Sequence, residues 1–231
     1  MKSEYPLITC ICITYNRIAL LKKAIGYFIA QDYPNKELLI SYPHKDKLTG
    51  YIVDKLIAEN SITIRSLKRP DQMKLGDARN LAIAESNGEY ICTWDDDDWY
   101  HPSRLSYQMY YLQTIGKGLN ACTLKQIILY DKTVQKAYAS FYYPWENTLL
   151  CKKDVLNEFP YISKDQGEDS GIIDFLEGSQ QLYHLPEVPF LYIYIYHSNN
   201  TWGYAHFKSF TDRSELLNQE WTTSITQLIE K

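Results

Sequence analysis

Four consecutive aspartates, Asp95 to Asp98, stand between two tryptophans in the stretch "GEYICTWDDDDWYHP". Neighbouring carboxylates about 4–5 Å apart repel by roughly 3–4 kcal/mol at an effective dielectric near 20. Such a run needs positive charge or abundant water beside it. Side chains alternate along a strand, so an extended run sends Asp95 and Asp97 one way and Asp96 and Asp98 the other. Carboxylates at a strand's end offer oxygens to Mg2+ or Mn2+. Such ions take only one or two protein carboxylates and fill their shell with water and substrate phosphates. The chemistry implied is cation-assisted handling of a diphosphate. The plain structural alternative is a solvated acidic turn capping the helix that starts near Pro102, but Trp94 and Trp99 do not suit an exposed loop. A calcium loop of the EF-hand type needs a glycine after its third acidic position, and none follows here.

The elements that must position this cluster are legible from periodicity. "LITCICI" is a nearly continuous apolar run, as in a strand buried on both faces. "IALLKKAIGYFIAQ" repeats apolar residues at helical spacing and stops before "DYP". "ELLIS", "SITIRSL" and "EYICTW" read as further strands, and "DKLTGYIVDKLIAEN" and "GDARNLAIAES" as helices, the latter ended by Asn87-Gly88 as a left-handed cap. Alternating strand and helix predicts an α/β chain with a mostly parallel sheet and helices on both faces. Ligands of such sheets bind outside the carboxyl ends of the strands, where both "TYNR" and the aspartates fall. In the second half, "PSRLSYQMYYLQ" reads as a helix and "NACTLKQIILYDKTVQKAYAS" as one antiparallel hairpin. "KKDVLNEF" and "EDSGIIDFLEG" read as short helices, and "FTDRSELLNQEWTTSITQLIEK" as a terminal helix. "FLYIYIYH" alternates strictly and reads as a strand, with Tyr192, Tyr194 and Tyr196 on one face.

Composition narrows the partner. At 231 residues, 45% hydrophobic and 23% charged, the chain can bury a sizeable core, and its net charge of −4 argues against nucleic acid. Its 21 tyrosines suit surfaces that stack on sugars or bases, although many are expected to be half-buried strand residues. The N-terminus lacks a secretory pattern and no apolar run approaches a membrane span, so no integral membrane segment is expected. Five cysteines without a framework read as reduced thiols, with Cys10 and Cys12 in the core, and the expected location is cytoplasmic.

In order and spacing, "ITYNR", "QDYPNKELLI", "GDARNLAIAESNGEYI", "DDDDWYHPSRL" and "GEDSGIIDFL" resemble glycosyltransferase family 2. The resemblance covers roughly residues 5 to 200. It implies a GT-A fold, as one domain over 1–231: a nucleotide-sugar half at 5–100, an acceptor half at 101–205 and a C-terminal helix at 206–231. It also implies an enzyme of polysaccharide assembly that moves a sugar from a nucleotide-diphospho-sugar donor to a glycan or lipid-linked acceptor. That transfer is expected to be metal-dependent and inverting. A lipid-linked acceptor would require peripheral docking at the inner face of a membrane.

By the same resemblance "DDDD" contains the family's DxD motif. Asp97 matches the metal-binding aspartate, Asp95 the first acid, and Asp96 a position near the donor's ribose. The cofactor implied is a divalent cation, Mn2+ or Mg2+, bridging the donor's phosphates. Gly167-Glu168-Asp169 resembles the ED motif, with Asp169 the expected base and Glu168 the reserve; the structural alternative is an acidic pair at a helix start. His197 stands where GT-A proteins often place a metal-side histidine, a turn histidine being the alternative. Thr14 and Tyr15 would border base and ribose, and Arg17 would approach phosphate. The helix opened by Asp77 and Arg79 would turn its amides and the Arg79 side chain to the donor. Thr14 as a helix cap and Arg79 paired with Asp77 or another acid are the structural alternatives.

The chain departs from the family at the end of the second strand. Tyr42 and Pro43 stand where an Asp-Asp pair normally contacts uracil, which leaves three readings: Tyr42 stacks on the base, the donor carries guanine or thymine, or donor binding is weak or lost. A non-catalytic glycosyltransferase-like binding module is the reading this departure favours. A sugar nucleotidyltransferase would need a glycine-rich first loop followed by arginine. A haloacid dehalogenase phosphatase would need its aspartates after the first strand, and neither pattern is present.

Overall fold

The computed structural model describes residues 5–59 and 63–230. Strand and helix alternate through β1 (Ile8–Ile13), α1 (Ile18–Ile29), β2 (Lys36–Pro43), α2 (Lys47–Glu59), β3 (Ile64–Arg69), α3 (Leu75–Glu85) and β4 (Tyr90–Thr93). Residues 60–62, which the sequence divides between a helix end and a strand start, lie outside the described residues, as do 1–4 and 231. After β4 come β5 (Trp99–Tyr100), α4 (Arg104–Thr114), β6 (Ala121–Leu124), β7 (Ile128–Asp131) and β8 (Lys136–Ala139). A 3-10 turn at Glu146–Thr148 leads to β9 (Leu150–Lys152), α5 (Lys153–Glu158), α6 (Ser170–Gly178) and β10 (Leu182–Leu185). The chain closes with β11 (Tyr192–Tyr196), α7 (Tyr204–Thr211), β12 (Glu215–Leu216) and α8 (Gln219–Glu230).

Seven strands form the main sheet in the order β10-β6-β9-β4-β1-β2-β3. The pairings β1–β2, β1–β4, β2–β3 and β6–β10 are parallel, and β9 runs antiparallel to β4 and β6. Period-two alternation sends Cys10, Cys12, Leu38 and Ile40 to one face, against Leu21, Ala24, Ile25 and Phe28 of α1. Ile11, Leu39 and Ile91 take the other face, against Ala82 and Ile83 of α3 and Ile172, Ile173 and Leu176 of α6. Each fully buried Leu, Ile or Phe contributes about 1.5–3 kcal/mol, so both faces are firmly covered. All five cysteines are buried and unbridged. Among the described residues no helix is long and apolar enough to cross a membrane.

A second sheet, β12-β8-β7-β11-β5, lies beyond the reach of the periodicity argument. It corrects the single hairpin read over 120–140: β6 joins the main sheet, and only β7 and β8 pair as a hairpin. β11 alternates as read, with Tyr192 and Tyr196 in the main core and Ile193 and Ile195 against Ile225 and Ile229 of α8. The tail is not one helix, since β12 separates α7 from α8. Nor does Asn87-Gly88 form a left-handed cap. Ser86 leaves α3 in extended conformation, and Asn87 turns to Glu37, its backbone N–H at 2.8 Å and Nδ2 at 3.0 Å. Gly88 is required for close approach instead, because a Cβ there would lie 2.6 Å from the Thr9 nitrogen.

Candidate active site

The four aspartates follow β4 in a turn held from behind by its aromatic flanks. Trp94 is fully buried, donates from Nε1 to the Ala24 carbonyl at 3.1 Å, and stacks on Tyr100 with ring centroids 3.8 Å apart. Beneath them Arg104, also fully buried, lies 5.0–5.6 Å from the rings of Trp94, Tyr100 and Tyr192. A turn breaks strand alternation, and the aspartates divide differently from the expected odd–even pattern. Asp96 and Asp97 share Arg17, whose Nη1 lies 3.2 Å from one and 2.8 Å from the other. Asp95 faces Nη2 of Arg79 at 3.5 Å. Asp98 turns inward, accepting from the Tyr192 hydroxyl and, at 2.9 Å, from the Ile195 amide.

Burial and mutual repulsion leave the cluster short of positive charge. Asp96 is pushed up to about 6, first by burial and then by Asp97, against the help of Thr14 and Arg17. Burial likewise raises Asp95 and Asp98, with like charge from their neighbours adding to it. A cavity of about 180 Å3 opens beside them, lined by eight carboxyl groups but only two guanidinium groups, Arg17 and Arg79. It contains Asp95, Asp96, Asp97, Glu168 and Asp169 together. An adjoining groove of about 500 Å3 shares Arg17 and is lined by His197, Asn199 and Lys132. The cavity alone is smaller than the roughly 300–1,000 Å3 of most ligand sites, so a ligand of ordinary size would extend into the open space beside it.

The loop carrying Glu168 and Asp169 is docked on α3. Asn80 hydrogen-bonds both ways with the Tyr161 backbone, at 2.8 and 2.9 Å, and the Gly76 amide donates to the Lys164 carbonyl at 3.0 Å. The Leu75 amide is taken by Asp165 at 3.1 Å, so the start of α3 turns its amides to this loop rather than to a donor. Asp77 accepts from Ser163 at 2.7 Å, not from Arg79. Arg79 reaches Glu168 instead, with Nε at 3.0 Å from Oε1. Burial opposes the Arg79 charge, but Asp95 and Glu168 more than offset it and raise its pKa. Glu168 is raised chiefly by its own burial. Asp169 is the N-cap residue of α6, yet its carboxylate bonds no helix amide.

The remaining expected residues fall at different depths. Thr14 is buried behind Asp96 and donates to it at 2.6 Å. Asn16 takes a left-handed conformation, φ 53°, that brings Arg17 round to start α1 over the aspartates. His197 Nε2 stands 3.1 Å from Asp97 Oδ2. Tyr15 is half exposed beneath Lys45 and outside the cavity wall. Tyr42 is a correction: it is 1% exposed, packed against Gly50 of α2, and has no face free to stack on a base. The nearest acid past β2, Asp46, is spent on Thr49 at 2.7 Å and the Asn16 amide at 2.7 Å.

The donor types fit a divalent cation: two carboxylates, Asp95 and Asp97, with an imidazole suit Mn2+. Among the described residues no group of three or more His, Cys, Asp or Glu side chains is arranged to hold a metal ion. Sequence reasoning missed the wall made by Tyr143, Trp145 and Glu146 with Trp202, His206 and Phe210. Burial and the charge of Asp169 push Glu146 up to about 8. The only signal in the chain is an acid set between tryptophan and asparagine in the aperiodic "PWEN".

Residues 9–183 match the sequence pattern of Glycosyl transferase family 2. The chain is 35% identical over 104 residues to the putative colanic acid biosynthesis glycosyl transferase WcaA of Escherichia coli (strain K12), covering 44% of this chain and 36% of that protein. It spans less than half the length of the curated relatives it matches. Its fold is shared with the mannosyltransferase PcManGT from Pyrobaculum calidifontis in complex with GDP-Man and Mn2+, at TM-score 0.67 and 14% identity over 86% of this chain and 59% of that one. S. aureus TarS 1-349 in complex with UDP-GlcNAc also scores 0.67, at 16% identity over 96% of this chain and 65% of that one.

Proposed function

The chain belongs to glycosyltransferase family 2, and from that premise we propose that it transfers a sugar from a nucleotide-diphospho-sugar to an acceptor hydroxyl in an inverting, cation-assisted displacement. The observation that carries this reading is that Asp97 and Asp169, 72 positions apart in the chain, line one cavity. Asp97, with Asp95 and His197, would hold Mn2+ or Mg2+, whose chemistry there is Lewis-acid neutralisation of the departing diphosphate. Arg17, which lines both cavity and groove, and Asp96, which lines the cavity, would face the donor, with Thr14 fixing Asp96 and Tyr15 beside the base. Asp169 takes the proton of the attacking hydroxyl, since Glu168 is already committed to Arg79. The name of the colanic acid relative supports a place in polysaccharide assembly, and the acceptor we propose is a glycan or a lipid-linked sugar.

A second reading, a nucleotide-binding module without transfer, is favoured by the end of β2, where Tyr42 is buried and Asp46 is spent. One experiment separates the two. Thermal shift is measured with uridine, guanosine and thymidine diphosphates, with Mn2+ or with chelator, alongside release of nucleoside diphosphate from the matching donor. A Mn2+-dependent shift with turnover is expected. Asp169→Asn is expected to keep the shift and lose about 10²–10⁴ of the turnover. A shift without turnover in the wild-type chain selects the binding module, and full turnover in Asp169→Asn removes it as base.

A further inference from the structure

We propose that the wall formed by Trp145, Glu146, Trp202 and Phe210 is a saccharide subsite that holds one neutral pyranose ring of the acceptor beside Asp169. This rests on the transferase reading above. The wall is a continuous run of rings. Trp202 stacks on His206 with centroids 4.1 Å apart, His206 meets Phe210 edge-on at 4.8 Å, and Phe210 lies 5.1 Å from Trp145. Trp202 is 37% exposed, so part of this surface is open to a ligand. A pyranose carries faces of C–H bonds that pack on aromatic rings, and a rim of hydroxyls that need hydrogen-bond partners once water is displaced.

Polar partners with capacity to spare are present. The Trp145 indole N–H is buried without a hydrogen-bond partner among the described residues, although a buried donor ordinarily finds one. Glu146, one residue on, lines the same cavity, and its carboxyl accepts from the Tyr143 hydroxyl at 3.4 Å. Burial and Asp169 hold Glu146 largely protonated near neutral pH, so it can donate as well as accept. Charge selects among acceptors. Seven carboxyl groups besides Glu146 line the cavity, and both of its arginines are engaged with aspartates, Arg17 with Asp96 and Asp97 and Arg79 with Asp95. A phosphate-bearing polyol or an acidic glycan would meet uncompensated repulsion there. An acyl chain would leave the indole N–H unpaired and offer the carboxyl no partner beyond Tyr143. A neutral sugar satisfies both.

The test uses the full chain with Mn2+ and the nucleoside diphosphate that gives the largest thermal shift. Tryptophan fluorescence and saturation-transfer NMR are recorded with methyl pyranosides of glucose, galactose, mannose and N-acetylglucosamine, and with glycerol 1-phosphate and a serine peptide. At least one pyranoside is expected to bind saturably, and glycerol 1-phosphate and the peptide are not. Trp202→Ala and the near-isosteric Glu146→Gln are each expected to weaken that pyranoside at least tenfold, with the nucleotide shift serving as the check that they fold. Absence of pyranoside binding, stronger binding of either other probe, or pyranoside binding unchanged in both variants overturns the subsite. Pyranoside binding in a chain that shows no nucleotide shift keeps the subsite and removes the transferase reading.

Discussion

Arg79 and Glu168, 89 residues apart, meet at 3.0 Å, and the same guanidinium lies 3.5 Å from Asp95. One cation therefore ties the acidic turn after β4 to the loop that opens α6. Removing one partner of a buried ion pair leaves charge uncompensated and typically costs about 3–5 kcal/mol. Arg79→Met is expected to lower stability by about 3 kcal/mol in urea unfolding. Glu168→Gln in that background should restore part of the loss. A cost under about 1 kcal/mol would show that the pair holds nothing together.

Gly76 lets the same loop settle on α3. A Cβ at this position would stand 1.9 Å from the Ile162 carbonyl oxygen, a backbone atom that cannot turn aside. Gly76→Ala is expected to cost about 1–3 kcal/mol by overpacking. It should also slow transfer by more than tenfold, because a displacement of about 1 Å at a reacting group can cost about 10²-fold. Gly26 in α1 is the contrast: nothing lies within 4 Å of its added Cβ. Gly26→Ala should stabilise by about 0.5–1 kcal/mol.

Adjacent aspartates are expected to behave oppositely. Asp98→Ala leaves the Ile195 amide and the Tyr192 hydroxyl without their acceptor, and should lower the unliganded Tm by the equivalent of about 3 kcal/mol. Asp97→Asn removes a like charge while Asp96 still pairs with Arg17, so the unliganded Tm should stay near wild type. The same variant should lose the Mn2+-dependent nucleotide shift. A Tm fall as large in Asp97→Asn as in Asp98→Ala would contradict this division of labour.

Glu146 makes stability depend on pH. Its folded pKa, about 8, lies above the ordinary carboxyl value of 4.5, raised by burial and then by Asp169, with Glu168 and Asp174 adding like charge and Tyr143 opposing. Between those two values the folded chain holds a proton that the unfolded chain has released, so stability falls as pH rises through the window. The decline from pH 6 to 9 in Tm should be shallower in Glu146→Gln than in wild type. Parallel curves would place the titration elsewhere.

How much was legible follows from how local each feature is. β1 to β4 and α1 to α3 emerged within a few residues, because side-chain period is a property of the segment itself. The acidic turn stood out by residue type alone, whereas the Glu168-Asp169 pair stood out only through the family resemblance. Asp98 as an internal anchor did not, because alternation fails once the chain turns after Thr93. Tyr42 looked like a base platform and is core, since α2 covers it. Glu146, Trp145 and His206 carried no local pattern, and each acquires meaning only from the walls it shares with Asp169.

The amino-acid order by itself determined the alternating architecture, the family and the concentration of negative charge beyond β4. Tertiary structure alone decided which carboxylates face the cavity, which arginine serves which acid, and which rings join them. The reason is physical: periodicity and local charge act over one or two turns of chain, whereas ion pairs and cavity walls depend on burial and distance between segments 70 to 100 residues apart, as Thr14–Asp96, Arg79–Glu168 and Asp97–His197 illustrate.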